Sequence, residues 1–168
     1  MLLARLHTFF LPAWLASLAV LAASFHLESV LGLVPCPLCF SQRFLLGLYS
    51  LVCLCAVIHH PGSSGRRAYC ALALACSLGG ALLAARHVWL QGGSMPLEAC
   101  HVPFQQVLEQ SWGQALKMLL LGGPDCDSLT WSFLDLTLPE WSLLAFLLLS
   151  ALPLSWLLRF CLRRLGNA

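Results

Sequence analysis

Residues 68–85 read "AYCALALACSLGGALLAA", a stretch without one charged side chain. A membrane-spanning helix needs about 20 mostly apolar residues, within roughly 17–25, and this run meets that length as it stands. Three further charge-free runs occupy 8–27, 44–58 and 141–158. The first and last also qualify. The second becomes long enough when it begins near Cys39 and takes in Arg43. The chain as a whole agrees: of 168 residues, 60% are hydrophobic and 10% charged, against about 25% charged in soluble domains. That is too little polar surface to solvate a water-soluble globule. The sequence therefore predicts an all-α membrane protein, a four-helix transmembrane bundle forming a single membrane domain over 1–168.

The opening "MLLARLHTFF" has the charged start of a secretory leader, and "LAAS" offers small residues for cleavage. A leader's apolar region usually runs roughly 7–15 residues, and this one is longer, so it is read as the first span. The spans are expected at about 9–27, 39–58, 68–90 and 139–160. Short connections at 28–38 and 59–67 and a long one at 91–138 join them. Pro61, Gly62 and Gly65 break the second hairpin, and Pro153 removes a backbone donor from the last span.

Charge orients the bundle. Arg5, Arg66, Arg67, Arg159, Arg163 and Arg164 fall on the side of the termini, whereas the opposite loops hold only Lys117, with Arg43 and Arg86 near span ends. All 7 acidic residues lie on that opposite side. Short loops rich in arginine stay cytoplasmic, so 1–8, 59–67 and 161–168 are expected in the cytoplasm, and 28–38 and 91–138 outside. The net charge of +2 hides this asymmetry. No patch suited to nucleic acid is present, and no such partner is expected. Within the long loop, "PFQQVLEQSWGQALKMLL" (103–120) repeats apolar residues at helical spacing. This predicts a short amphipathic helix, lying on the membrane surface or covering the end of the bundle.

Topology also sorts the 9 cysteines. Cys53, Cys55, Cys70 and Cys76 lie within spans and Cys161 at a cytoplasmic end, where free cysteine packs as a small hydrophobe. Cys36, Cys39, Cys100 and Cys126 face outward. In a bacterium that side is the oxidising periplasm, where disulfides persist, and four such cysteines read as two pairs. A zinc site would need Cys100 and Cys126 as further ligands. These are far apart in sequence and lack a second close-spaced pair, so no metal is expected. An inert structural disulfide remains a reading of Cys36 and Cys39.

The surroundings of "LVPCPLCFSQRF" (33–44) favour redox chemistry. Pro37 suits a first helical turn, which sets Cys39 near the positive end of the helix dipole. Arg43 follows four residues later on the same face. Both features stabilise a thiolate, the species that exchanges. Arg43 also reads as a side chain snorkelling to headgroups. A periplasmic dithiol needs an oxidant, and the bilayer offers quinone, a planar apolar ring with two carbonyls. Arg43 is one candidate hydrogen-bond donor to it. His87, in "ARHVWLQ" at the outer end of span 3, is another, although a lone histidine at a span end, here beside the interfacial Trp89, is more often a membrane anchor.

These pieces together resemble the disulfide bond formation protein B (DsbB) family. They are four spans, "PCPLC" followed by "QR" at the mouth of span 2, "RHVWLQ" ending span 3, and Cys100 and Cys126 in a long outer loop. The resemblance covers essentially the whole chain. It implies a bacterial inner-membrane protein-disulfide:quinone oxidoreductase that reoxidises a DsbA-type periplasmic thiol oxidase and passes electrons to ubiquinone or menaquinone, the relay that keeps the periplasm oxidising. It further implies that Cys100 and Cys126 form the disulfide attacked by DsbA, with Cys100 taking the mixed disulfide. Cys126 then exchanges with the Cys36–Cys39 pair, and Cys39 meets the quinone with Arg43 and His87 beside it. Other readings are a quinone-linked reductase of the vitamin K epoxide reductase type, a haem-binding bundle and a non-catalytic scaffold. The first is expected to carry its C-x-x-C late in the bundle. The second needs facing histidines inside spans, whereas His26 and His87 lie near outer ends.

Overall fold

The computed structural model describes residues 2–32, 36–92, 112–122 and 132–165. Helices α1 (Leu2–Leu31), α2 (Pro37–His59), α3 (Ser63–Gly92), α4 (Trp112–Leu121) and α5 (Leu138–Leu165) account for nearly all of them. A two-residue antiparallel ladder, β1 (Ser132–Phe133) and β2 (Leu136–Thr137), precedes α5. Among the described residues, four helices are long and apolar enough to cross a membrane, over Phe9–Val30, Pro37–His59, Ser63–Gln91 and Leu138–Leu162. The chain is an all-α, multi-pass membrane protein. The helix α4, Trp112–Leu121, overlaps the C-terminal part of the 103–120 stretch, and residues 103–111 lie outside the described residues, as do Cys100 and Cys126.

Helix α3 packs between α2 and α5, and α1 lies against α2. Lipid supplies no hydrophobic drive between helices, so close approach of small residues matters more than in water. The inner face of α3 is built that way, with Cys70, Ala73, Ser77, Ala81 and Ala84 all buried. At Gly80, an added Cβ would run into the Phe146 ring of α5. Around this seam lie Phe10, Leu46, Tyr49, Cys53 and Leu149.

Pro153 stands inside α5 and brings no N–H to the carbonyl four residues before it, that of Leu149. The Tyr49 hydroxyl of α2 donates to this carbonyl at 3.2 Å. A neighbouring helix thus supplies the donor that proline removes, which a membrane interior requires. Cys53, Cys70 and Cys76 are buried in the same core, in keeping with packing roles.

The two ends of the bundle differ. At one end the Arg66 guanidinium lies over the Trp156 ring and that of Arg67 over Phe160. The other end carries α4. The Leu119 carbonyl accepts from the Ser41 hydroxyl at 2.7 Å and the Leu121 carbonyl from Arg86 Nε at 3.3 Å, so two orphan carbonyls of its last turn are satisfied. Gly122, at φ 85°, then turns the chain against Leu38 and Leu90. Helix α5 begins at the same end with Glu140 reaching back to Thr137: Thr137 N–H and Oγ1 both donate to Glu140 Oε2, at 2.6 and 2.9 Å, so the N–H before the helix is satisfied by the carboxylate.

Candidate active site

The site forms where α2 starts. Cys36 is the N-cap, with extended backbone (φ −73°, ψ 163°), and Pro37 opens the helix. Proline's missing N–H costs nothing in that first turn. The turn brings Cys39 N–H to Cys36 Sγ at 3.3 Å and the two sulfurs, both thiols, to 3.0 Å. A disulfide bond is about 2.05 Å long, so little movement separates the dithiol from the bonded pair. Cys36 is buried and Cys39 partly exposed.

His87 reaches this pair from α3. It is fully buried, with Nε2 3.7 Å from Cys36 Sγ. Its Nδ1 lies 3.5 Å from the Gln42 side-chain amide. Gln42 Oε1 in turn accepts from the Ser142 hydroxyl of α5 at 2.9 Å. A polar thread from three helices therefore ends on the cysteines: Ser142, Gln42, His87, Cys36. Leu38, Leu83 and Leu90 enclose it.

Arg43 lies one turn deeper and is held by α1. Its Nε donates to Ser24 Oγ at 2.7 Å and Nη2 to the Ser24 carbonyl at 3.1 Å. Nη1 is paired with Glu28, and the Phe25 ring lies 4.7 Å from the guanidinium carbon. Because α1 continues to Leu31, Glu28 is helical and positioned to compensate the arginine's charge, which would otherwise be costly in the bilayer. The structure thus brings Cys36, Cys39 and His87 together and fastens Arg43 to the neighbouring span.

The matching family model is that of "Disulfide bond formation protein DsbB", over residues 6–156. The chain belongs to the DsbB family. It is 66% identical over 168 residues, all of both chains, to "Disulfide bond formation protein B 2" of Pseudomonas entomophila. It is 66% identical over 167 residues to the protein of that name in Pseudomonas putida, covering 99% of each. With "Disulfide bond formation protein B" of Methylococcus capsulatus it shares 41% over 165 residues, covering 92% of this chain and 95% of the relative. No solved structure matches. As a DsbB-family member, the chain is a membrane oxidoreductase of disulfide bond formation.

Gln42 enters the reading of the sequence only within a motif, and Ser142, Ser24, Phe25 and Glu28 do not enter it as site residues. The available signal is a polar residue interrupting an apolar run. Gln91 is a further such residue: one turn beyond His87, its buried Nε2 has no partner among the described residues.

Proposed function

We propose that this chain is the inner-membrane thiol oxidase that reoxidises a periplasmic DsbA-type protein by disulfide exchange and delivers the electrons to a membrane quinone. The observation that carries the reading is the Cys36–Cys39 dithiol at the mouth of a membrane span, with a buried histidine against its inner sulfur. Both termini face the cytoplasm in this reading, consistent with arginines gathered at the end of the bundle opposite the dithiol.

The residues suit a quinone. Cys39 is the partly exposed cysteine of the pair, Phe40 and Phe44 on the adjoining stripe stand open to lipid, and Gln91 holds a buried donor, without a partner among the described residues, for a carbonyl. Cys39, Arg43, His87 and Gln91 would hold the ring. When bound, a quinone supplies a two-electron, two-proton acceptor next to the dithiol.

The protein's own steps are thiol exchanges. A DsbA thiolate attacks the Cys100–Cys126 disulfide, forming a mixed disulfide at Cys100 and freeing Cys126. The Cys126 thiolate attacks Cys36 Sγ, and the Cys36–Cys39 bond breaks with its electron pair on Cys39. The second DsbA thiol then resolves the mixed disulfide, releasing oxidised DsbA and the Cys100 thiolate. That thiolate attacks Cys126 Sγ, reforms the Cys100–Cys126 bond and frees Cys36, so that Cys36 and Cys39 are left as the dithiol. His87 Nε2–H, donating toward Cys36, stabilises negative charge on the pair, as hydrogen bonds to charged groups do most strongly. Arg43 holds α1 against the dithiol turn and keeps a positive charge one turn from Cys39.

The test is anaerobic mixing of a reduced DsbA-type protein with the purified chain and a short-chain quinone, following quinone absorbance. Stoichiometric loss of quinone with gain of DsbA disulfide is expected. Thiol oxidation that leaves the quinone unreduced overturns the reading.

A further inference from the structure

The sulfurs of Cys36 and Cys39 and a ring nitrogen of His87 all lie within 4.8 Å of one another. Two thiols and an imidazole are the donor set that zinc and related d10 cations select. A tetrahedral ion with bonds of about 2.3 Å to sulfur and 2.0–2.1 Å to nitrogen sets S···S near 3.8 Å and S···N near 3.6 Å. The Cys36 Sγ–His87 Nε2 distance of 3.7 Å already agrees. The sulfurs, 3.0 Å apart, need to open by less than an ångström, which rotation of the Cys39 side chain supplies.

The ring is oriented in advance. Gln42 faces Nδ1 and is itself held by Ser142. As it stands, the Gln42 amide N–H faces Nδ1, which matches the Nε2–H tautomer. On loading, the amide turns, its NH2 donates to Ser142, and its oxygen accepts from Nδ1–H, leaving the Nε2 lone pair for a metal, the support that metal-bound histidines ordinarily have. Charge is also balanced, since two thiolates neutralise a dication in a place where an unpaired charge is costly.

We infer that the reduced Cys36–Cys39 pair and His87 form a binding site for a thiophilic d10 cation of the Zn2+ class, and that loading holds the protein in its dithiol state. Binding breaks two S–H bonds, forms two sulfur–metal bonds and one nitrogen–metal bond, and sends two protons to solvent without electron transfer. The disulfide form has no thiolate to offer, so the site exists in one redox state only. The binding rests on geometry alone; its inhibitory consequence rests on the proposed function.

The test uses the full-length chain in detergent with Cys100→Ser and Cys126→Ser, so that the second pair contributes nothing. After anaerobic reduction, Co2+ is titrated and the sulfur-to-cobalt charge-transfer band recorded, with Zn2+ added to displace it. One ion per chain and two protons released are expected. The same chain after oxidation of Cys36 and Cys39 should show no band, a control free of folding effects. Outer ligand supports are worth about 10–100-fold in affinity. Gln42→Ala should therefore weaken binding about tenfold, and His87→Ala, which removes a ligand, by at least about 100-fold. Equal binding by oxidised protein, an unchanged affinity in His87→Ala, or no band at millimolar cobalt overturns the inference. If the wild-type chain with chelator oxidises thiols normally and yet binds no ion, the metal site fails while the redox reading stands. If an ion binds without any quinone-linked oxidation, the metal site stands and the redox reading fails.

Discussion

His87 Nε2 lies 3.7 Å from Cys36 Sγ, joining residues 51 positions apart in the chain. The contact sets the inner sulfur of the dithiol against a buried imidazole. It places the histidine where the proposed thiol chemistry can use it. Hydrogen bonds to charged groups are worth about 1.5–3 kcal/mol, which is roughly 10- to 150-fold in rate. His87→Gln should slow oxidation of the dithiol by about that factor while leaving thermal stability nearly unchanged. Stopped-flow measurement at saturating quinone checks this, and an unaltered rate would return His87 to a packing role.

Cysteine substitutions should divide sharply. Cys36→Ser or Cys39→Ser is expected to abolish quinone-linked oxidation of a DsbA-type protein. Cys53→Ala and Cys70→Ala, in the buried core, should retain the wild-type rate and lose only stability. Full turnover by either Ser variant would remove the enzyme reading.

Arg43 touches Ser24, Phe25 and Glu28 at once, so Arg43→Ala loosens α1 from the dithiol turn. We expect the apparent quinone KM to rise more than disulfide exchange slows. Glu28→Gln should move KM the same way by a smaller factor. The pair is partly exposed, with side chains 18% and 30% accessible, and such pairs contribute at most about 1 kcal/mol. Steady-state kinetics against quinone and against DsbA separate the two effects.

The Tyr49–Leu149 hydrogen bond predicts non-additivity. Tyr49→Phe should cost about 1 kcal/mol, read from unfolding in detergent. In a Pro153→Ala background residue 153 again donates to Leu149, and the cost should largely vanish. Equal costs in both backgrounds would show that the tyrosine hydroxyl does not replace the missing N–H.

Gly80 allows α3 to approach Phe146. Overpacking a close seam costs roughly 1–3 kcal/mol, so Gly80→Val should lower the unfolding temperature, and adding Phe146→Leu should recover part of the loss. Recovery by an unrelated small substitution elsewhere on α5 would argue against a local clash.

Three spans are legible from apolar run length alone, because a membrane helix must satisfy its own backbone and cover it with apolar side chains, and the second is legible once its run is extended across Arg43 to Cys39. The first turn of α2 is legible too, since Cys36, Pro37 and Cys39 interact through local backbone geometry. The partner of Arg43 is not. Helical spacing puts it on the Cys39 face, but its hydrogen bonds go to α1. Charge-free length ends the first span before Glu28 and leaves that residue in a loop, whereas α1 runs on to Leu31.

The sequence by itself determined how many times this chain crosses the bilayer, which end carries the arginines, and that a cysteine pair opens the second span. Only the tertiary structure decided that His87 and Gln42 meet that pair, that Glu28 and Ser24 hold Arg43, and that Tyr49 serves the Pro153 gap. The reason is that lipid and neighbouring helices present equally apolar surroundings. An apolar run therefore records that a helix is in the membrane but not its rotation or depth, and those settle which side chains touch.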